Sequence, residues 1–328
     1  MATVADVGFG VIGLGMGRSR AKLVKETPGA KLVAVCDINE EKAKAVAQEL
    51  EVEHYLDYKK ILERDDIEAV MVMTPSGLHE PVAVDVAKAG KNVVVTKPME
   101  VTIEKCDQMI EAAKSAGVAL MIDFGNRYSR EMQRIRAAID AGLFGRLLFG
   151  EISLKWYRSQ EYYDRGGWRG TWAMDGGGSL ANQTIHQIDV LLWFMGEVAK
   201  VQGAYAVINH KIETEDIGMA QLVFKNGALG RILGTTTYPV SLPARVDVHG
   251  DKGGVTTTKG KIEALHFPKG VEPPELPEPD GQANVVEDVI GVLREGKKPA
   301  VDGPEGRRSV ELLSAIYESA RRGEQIEL

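Results

Sequence analysis

Two cysteines in 328 residues leave no disulfide framework to hold the fold. Cys36 and Cys106 fall on a predicted strand and a predicted helix, where a thiol acts as a small apolar side chain in a reducing compartment. An excess of positive charge is missing too. The 40 lysines and arginines against 47 aspartates and glutamates give −7, which excludes a sequence-independent nucleic-acid binder, since that needs a basic face. No apolar run is long enough to span a membrane. The opening stretch MATVADVGFG lacks a charged segment followed by an apolar one, so no secretory signal is expected and the expected location is the cytoplasm. His54, His210, His249 and His266 are scattered without ligand spacing, and no metal site is expected. There is no G-x-S-x-G and no C-x-x-C. What is left is a globular composition, 44% apolar and 27% charged, in a chain long enough for two domains.

What is present centres on Val7 to Asp37. An apolar run, Val7–Ile12, meets the cluster Gly13-Leu14-Gly15-Met16-Gly17. A helical segment follows to Thr27-Pro28-Gly29, and a second apolar run, Leu32–Cys36, stops at Asp37. Strand, tight turn, helix and strand in this order form the first βαβ unit of a dinucleotide-binding domain. Glycines let the main chain approach a pyrophosphate, and free N–H groups at a helix start favour its charge. An acid about 20 residues on accepts hydrogen bonds from the adenosine ribose and repels a 2′-phosphate. Asp37 therefore favours NAD over NADP, while Arg18 and Arg20 leave an opening for a phosphate. Arg18 stands where the third glycine of G-x-G-x-x-G usually falls.

The βα rhythm continues. Asn39 caps a helix with Glu40 and Glu41 in its first turn, and Ala43, Val46, Ala47 and Leu50 form its apolar stripe. Apolar strands follow at Ala69–Met73, Asn92–Val95 and Val118–Ile122, with helices closed by Gly90 and Gly117 between them and a short strand near His54-Tyr55. Residues 1–123 therefore read as a doubly wound, parallel α/β domain. From 124 to 328 the pattern changes. A helix over Ser129–Ala141 precedes a strand that alternates Ile152, Leu154 and Trp156 against Ser153, Lys155 and Tyr157. After a helix near 179–195, Gln221–Lys225 and Ala228–Leu233 flank the hairpin signal Asn226-Gly227. Pro268–Gly281 reads as an extended surface crossing, and helices near 284–295 and 305–322 finish the chain. This is an α+β domain with an open, largely antiparallel sheet, whose free face suits pairing of copies into an oligomer.

Two stretches offer chemistry. Thr74-Pro75-Ser76, with His79 one turn on, and Thr96-Lys97-Pro98 sit at strand ends that face the ligand crevice of a doubly wound sheet. Thr74 and Ser76 bring hydroxyls for a ribose or a nicotinamide; Ser76 equally suits a helix cap. A lysine directly after a buried strand is expected to be paired or to face the crevice, where a lowered pKa would let it move protons near neutrality; a lysine on a loop in water is the alternative reading. The second stretch, GGWRGTWAMDGGGSLANQTIHQID over 166–189, sets three glycines before a helix. On that helix Asn182, His186 and Asp189 share one face: an amide, a proton carrier and a carboxylate to set its tautomer. A polar seam inside a helix–sheet contact is the alternative reading. Tyr162, Tyr163, Trp168 and Trp172 suit either a sugar site or a core, and Arg130, Arg134 and Arg136 read as a solvated helix face.

Together these pieces resemble the Gfo/Idh/MocA family of sugar and cyclitol oxidoreductases. The matching segments are GLGMG with CD at 36–37, TPSGLH at 74–79, KP at 97–98, NRY at 126–128 and WR at 168–169. GGGSLANQTIHQID at 176–189 and the closing DGPEGRRSVELLSAIYESARRGEQI extend the match over nearly the whole chain. The resemblance implies a Rossmann domain, an open-sheet second domain and packing into homodimers or homotetramers through that sheet. It implies NAD, a small carbohydrate or cyclitol substrate, and Lys97 and His186 as the proton-transfer residues, often with a cis bond at Lys97-Pro98. Leu14, Met16, Pro75, His79, Thr96, Asn126, Trp168 and Arg169 join the cofactor set. Arg127, Tyr128, Trp156, Trp172, Asp175 and Asn182 join Lys97 and His186 in the substrate set. Thr96 replaces a common glutamate, and Asn182 replaces a common aspartate, so the proton work rests on His186 and Lys97. The expected reaction is hydride transfer between NAD and a secondary hydroxyl of a sugar, cyclitol, uronate or nucleotide sugar. The alternatives are a glycoside hydrolase acting by transient oxidation at C3 and a non-catalytic dinucleotide and sugar sensor.

Overall fold

Six apolar runs of the N-terminal part form one parallel sheet: β1 (Val7–Ile12), β2 (Ala30–Cys36), β3 (Glu53–Tyr55), β4 (Ala69–Val72), β5 (Asn92–Thr96) and β6 (Leu120–Asp123). Their order is β3-β2-β1-β4-β5-β6. Every residue of β1, β4 and β6 is buried, as a sheet covered on both faces requires. The crossovers carry α1 (Gly17–Glu26), α2 (Glu40–Leu50), α3 (Lys59–Leu62), α4 (His79–Lys88) and α5 (Ile103–Ala116). Asn39 caps α2 by accepting from the Lys42 N–H at 2.8 Å, and Thr102 caps α5 through Lys105 at 3.3 Å. The strand order reverses between β1 and β4, so the loops leaving those two strands open onto the switch point where such sheets bind ligands.

The computed structural model describes residues 5–328. Its contacts form two compact units: the described residues up to Asp123 with Gln282–Arg307, and Phe124–Gly281 with Arg308–Leu328. Where the sequence reading runs the second domain unbroken from 124 to 328, residues 282–307 return to the first unit. There, α9 (Val285–Glu295) buries Val285, Val286 and Val289. Arg294 forks onto Glu68 at 2.6 and 2.8 Å, and the Ile122 N–H donates to the Val301 carbonyl at 3.0 Å. An amphipathic pattern says that a helix face is buried; it does not say against what.

In the second unit, α6 (Arg130–Asp140) leads into an eight-stranded sheet. Its strands are β7 (Leu147–Lys155), β8 (Val198–Ala206), β9 (Ile217–Phe224), β10 (Leu229–Thr235), β11 (Arg245–Gly250), β12 (Gly254–Thr258), β13 (Lys261–His266) and β14 (Ile326–Glu327). The order is β13-β12-β11-β7-β10-β9-β8-β14, antiparallel except where β10 runs parallel to β7. The hairpin at Asn226-Gly227 is present, with Gly227 at φ +85°. A short α7 (Gln160–Asp164) and the longer α8 (Ile185–Met195) follow β7 in the chain, and α8 packs on β7 and β11. One sheet face is thereby buried through Ile152, Leu154, Ala220, Leu222 and Ile232, while Leu148, Met219 and Leu229 stand exposed. The chain ends in α10 (Gly303–Arg322) and β14.

Candidate active site

In the first unit the three glycines after β1 do three different jobs. Gly13 adopts φ +87°, and a Cβ there would lie 2.7 Å from the Met73 carbonyl oxygen. Gly15 faces open space. At Gly17 a Cβ would press on Met73 and Val11 side chains at 3.1 and 3.2 Å. The close helix–strand contact that the third fingerprint glycine usually provides is thus made one residue early, which is why Arg18 is tolerated. Helix α1 has no side-chain cap and no acid in its first turn, which suits an anion at its N-terminus. Asp37, buried after β2, accepts from the Leu14 N–H at 2.8 Å and the Asn39 N–H at 2.9 Å, with Lys42 Nζ at 3.4 Å. Its remaining lone pairs suit ribose hydroxyls. A groove of about 600 Å³ runs alongside, lined by Leu14, Gly15, Arg18, Lys42, Val46 and Glu49. Arg18 is paired with Glu49 and Arg20 with Asp123, so both arginines that left an opening for a phosphate are matched by acids. Burial, ahead of the neighbouring Asp37, pushes the Cys36 thiol up to about 12, and it stays protonated.

The two strand-end loops are tied together by a residue expected at the cofactor. His79 is 0% exposed. Its Nε2 lies 2.9 Å from the Thr74 carbonyl oxygen, and its Nδ1 lies 3.0 and 3.1 Å from those of Pro98 and Met99. Burial pulls its pKa down to about 4. His79 therefore braces main chain, and its expected direct cofactor contact gives way to a supporting role. Lys97-Pro98 is cis and Lys97 is half-buried. Thr96 is buried at the end of β5. Thr74 Oγ1 is buried without a hydrogen-bond partner among the described residues, beside Pro75 and the buried Ser76 that opens a 3₁₀ turn. An open glycine, an uncapped helix start, an acid with spare lone pairs and this orphaned hydroxyl fit a dinucleotide. Reading the sequence did not find Glu100, buried three residues after Lys97 in the chain. It accepts from Lys105 Nζ at 3.1 Å, which also donates to the Gly77 carbonyl at 3.0 Å.

In the second unit the glycine run makes the close approach its residues suggest. A Cβ on Gly177 would lie 2.1 Å from Tyr317 Oη, and one on Gly178 would lie 1.9 Å from the Glu215 carbonyl oxygen. The Glu215 carboxylate accepts from the N–H groups of Gly178 (2.9 Å) and Leu180 (2.7 Å) and from the Tyr317 hydroxyl (3.0 Å). Burial pushes its pKa up to about 7. Ser179–Thr184 is a π turn, and α8 starts only at Ile185. The single helical face expected for Asn182, His186 and Asp189 is therefore interrupted, because a π turn is wider than an α turn. Asn182 Nδ2 donates to Asp175 Oδ1 at 2.5 Å, and Asp175 Oδ2 accepts from the Gly170 N–H at 2.9 Å.

His186 is half-buried, its ring edge-to-face with Phe124 at 6.2 Å. Both oxygens of Asp189, the residue expected to set its tautomer, accept from Arg127, Nε at 2.7 Å and Nη2 at 2.8 Å. Arg127, expected at the substrate, is itself buried, with its guanidinium 4.6 Å from the centre of Trp193; Tyr128 is buried beside it in the chain. Trp172 packs edge-to-face on Tyr205 and Tyr317. Two arginines and three aromatic rings alternate: Arg158 lies over Trp156 and Tyr162 at 5.0 and 5.1 Å, and Arg169 over Tyr162 and Trp168 at 4.8 and 4.7 Å. Gln183 links this ladder to the π turn, accepting from Arg158 at 2.8 Å and donating to the Tyr162 hydroxyl at 2.9 Å. Asn126 and Trp156 line a separate groove of this unit, with Gln187. Among the described residues no group of three His, Cys, Asp or Glu is placed to hold a metal, and no helix is long and apolar enough to cross a membrane.

Residues 7–124 match the oxidoreductase family Gfo/Idh/MocA, NAD-binding Rossmann fold, and residues 132–256 match the GFO/IDH/MocA C-terminal domain. The chain belongs to this family and is an NAD-binding oxidoreductase. It is similar to the WlbA dehydrogenase from Bordetella pertussis, whose crystal structure is a complex with NADH and UDP-GlcNAcA. The two share 33% identity and a TM-score of 0.91, covering 100% of this chain and 99% of that one. It is 26% identical over 333 residues to the scyllo-inositol 2-dehydrogenase (NAD(+)) of Bacillus subtilis, covering 97% of this chain and 95% of that one. An α-N-acetylgalactosaminidase of Shewanella oneidensis is 31% identical over 192 residues, 54% of this chain and 41% of its own length.

Proposed function

We propose that the protein moves a hydride reversibly between NAD and a secondary ring hydroxyl of a sugar or cyclitol derivative, and that a nucleotide-linked uronate is the substrate class to test first. The observation that carries this reading is Asn182, held through its amide on buried Asp175. An amide cannot serve as a base, so the helix offers an orienting group at 182 and a proton carrier at 186. The similarity to WlbA, crystallised with NADH and UDP-GlcNAcA, supports the substrate class.

When bound, the nicotinamide accepts or returns the hydride. The Gly13–Gly17 loop and the N-terminus of α1 hold the pyrophosphate, Asp37 accepts from the adenosine ribose, and Thr74 and Ser76 donate hydroxyls nearby. On oxidation His186 takes the hydroxyl proton. Lys97, at the C-terminal end of β5, donates a hydrogen bond to the oxygen as it becomes a carbonyl. Two or four copies pack through the sheet face that exposes Met219 and Leu229, and the protein works in the cytoplasm.

Purified protein is to be incubated with NAD and, in turn, UDP-N-acetylglucosaminuronate, UDP-N-acetylglucosamine, free uronates and inositols, following NADH formation and thermal shift. NADH with one sugar class supports the proposal. Glycoside cleavage without net NADH moves the chain to the hydrolase reading. Absence of any dinucleotide binding, in protein shown free of carried-over cofactor, overturns the reading from Asp37 outward. Light scattering on the eluting protein checks the assembly, and a monomer refutes that part.

A further inference from the structure

The second unit contains a groove of about 330 Å³ that the roles above leave unused, lined among others by Trp156, Gln187, Ser241, Leu242, Pro243 and Lys259. Its walls are fixed. The Tyr238 N–H donates to the Trp156 carbonyl at 3.1 Å, Leu242 to that of Lys155 at 2.9 Å, and Lys259 to that of Ala244 at 3.0 Å. Trp156 Nε1 donates to the Leu242 carbonyl at 3.1 Å, and the Arg158 guanidinium lies over the indole, so the ring that walls the groove is held in place.

One feature of this rim is costly unless a ligand offsets it, and a second places a charge there. Gln187 Oε1 is buried and has no hydrogen-bond partner among the described residues. A buried carbonyl oxygen without a donor is disfavoured, so this atom calls for an N–H or O–H from outside the chain. Lys259 sits at φ +54°, one of two described non-glycine residues in the left-handed region. With Gly260 at φ +71° it forms the two-residue turn that joins β12 to β13, and this turn places Lys259 on the groove's lining. Gln187 follows His186 directly on α8.

We infer that this groove is a second substrate subsite, taking the nucleoside end of a nucleotide-linked sugar. A flat pyrimidine ring packs on Trp156 and Pro243, its ring N–H donates to Gln187 Oε1, and Lys259 faces the diphosphate charge. The volume suits a ring of that size and falls short of a whole nucleotide sugar. A free hexose, which also has a flat face and O–H donors, shares part of this chemistry, and the test separates the two. The inference rests on the dehydrogenase reading and extends it to the part of the substrate away from the oxidised carbon.

The test uses the full chain with NADH bound and titrates UDP, uridine, glucuronate and scyllo-inositol, reading tryptophan fluorescence and calorimetric heat. The wild type is expected to bind UDP in the absence of any sugar. Gln187→Met, close in shape but without the acceptor, is expected to weaken UDP about tenfold and to raise KM for the UDP-sugar by a similar factor. Its melting temperature is expected to hold or rise, since Oε1 has no partner in the chain to lose. NADH affinity, measured alongside, reports whether the dinucleotide domain is intact. UDP that fails to bind while NADH binds, or a Gln187→Met variant that binds UDP as the wild type does, overturns the subsite and leaves the dehydrogenase reading standing. Binding of glucuronate or inositol, with loss in the same variant and no response to UDP, overturns the nucleoside assignment.

Discussion

Glu215 accepts hydrogen bonds from the Gly178 and Leu180 N–H groups and from the Tyr317 hydroxyl, so a single buried carboxylate anchors the start of the turn that carries Asn182. The Tyr317 hydroxyl, fully buried and beside this acid, is pushed well above its ordinary value. Both groups are costly to ionise there, and the pair holds the glycine run against α10.

The stability of the protein should show this acid. Burial raises the folded pKa of Glu215 from 4.5 to about 7. Between those values the folded state holds a proton that the unfolded state has released, so this contribution is full below about pH 4.5 and is lost as pH rises towards 7. Glu215→Gln should flatten that slope. It should also cost about 1–3 kcal/mol above neutrality, because an amide N–H₂ would meet the Gly178 or Leu180 N–H. Urea unfolding of both proteins across pH 5–8 decides it, and parallel stability curves would refute the assignment.

Lys97→Met and His186→Ala should each lower kcat by roughly 10²–10⁴-fold, the usual size of an acid–base contribution, with dinucleotide affinity kept. Turnover at wild-type level in both variants would remove the proton-transfer roles.

Asp37→Ala should cut the preference for NAD over NADP, measured as the ratio of kcat/KM values, by roughly 10–100-fold, the effect of losing hydrogen bonds to a charged acceptor. It also deprives the Leu14 N–H of its acceptor, so a lower melting temperature should accompany the change. An unaltered cofactor ratio would take Asp37 away from the ribose.

His79→Leu should destabilise the fold by about 1–3 kcal/mol, since the neutral ring has one N–H and the carbonyl it donates to, at Thr74 or at Pro98, loses its buried donor. Because it braces the loop holding Lys97, kcat should fall more than KM rises. A variant with normal stability but weakened NAD binding would restore His79 to the cofactor.

Much of the first unit was legible because its signals are local. The glycines, Asp37 and the capping residues Asn39 and Thr102 act within a turn or two of themselves, and continuous apolar runs announce buried parallel strands. What escaped was set by partners far along the chain. Arg127 and Asp189 lie 62 residues apart, and nothing in NRY or IHQID says that each completes the other. Glu215 sits in a polar stretch, Glu213 to Asp216, that reads as a loop until folding puts it under the glycine run. The π turn was invisible for another reason: its residues satisfy an α-helical pattern equally well, and the groups that meet its main chain, Glu215 on the Leu180 N–H and Thr184 on the Ser179 carbonyl, carry no mark in the sequence.

The return of residues 282–307 to the first unit bears on how the protein is made. The Ile122 N–H at the sheet's margin finds its acceptor in Val301, and Glu68 finds its guanidinium in Arg294. A ribosome must therefore thread out nearly the whole chain before the outer edge of β6 is covered. Until then β6 presents an unpaired, apolar edge of the kind that recruits other strands. A fragment ending at Asp123 would keep that edge permanently, so aggregation of the isolated N-terminal fragment would report an uncovered sheet edge and not a sequence unable to fold.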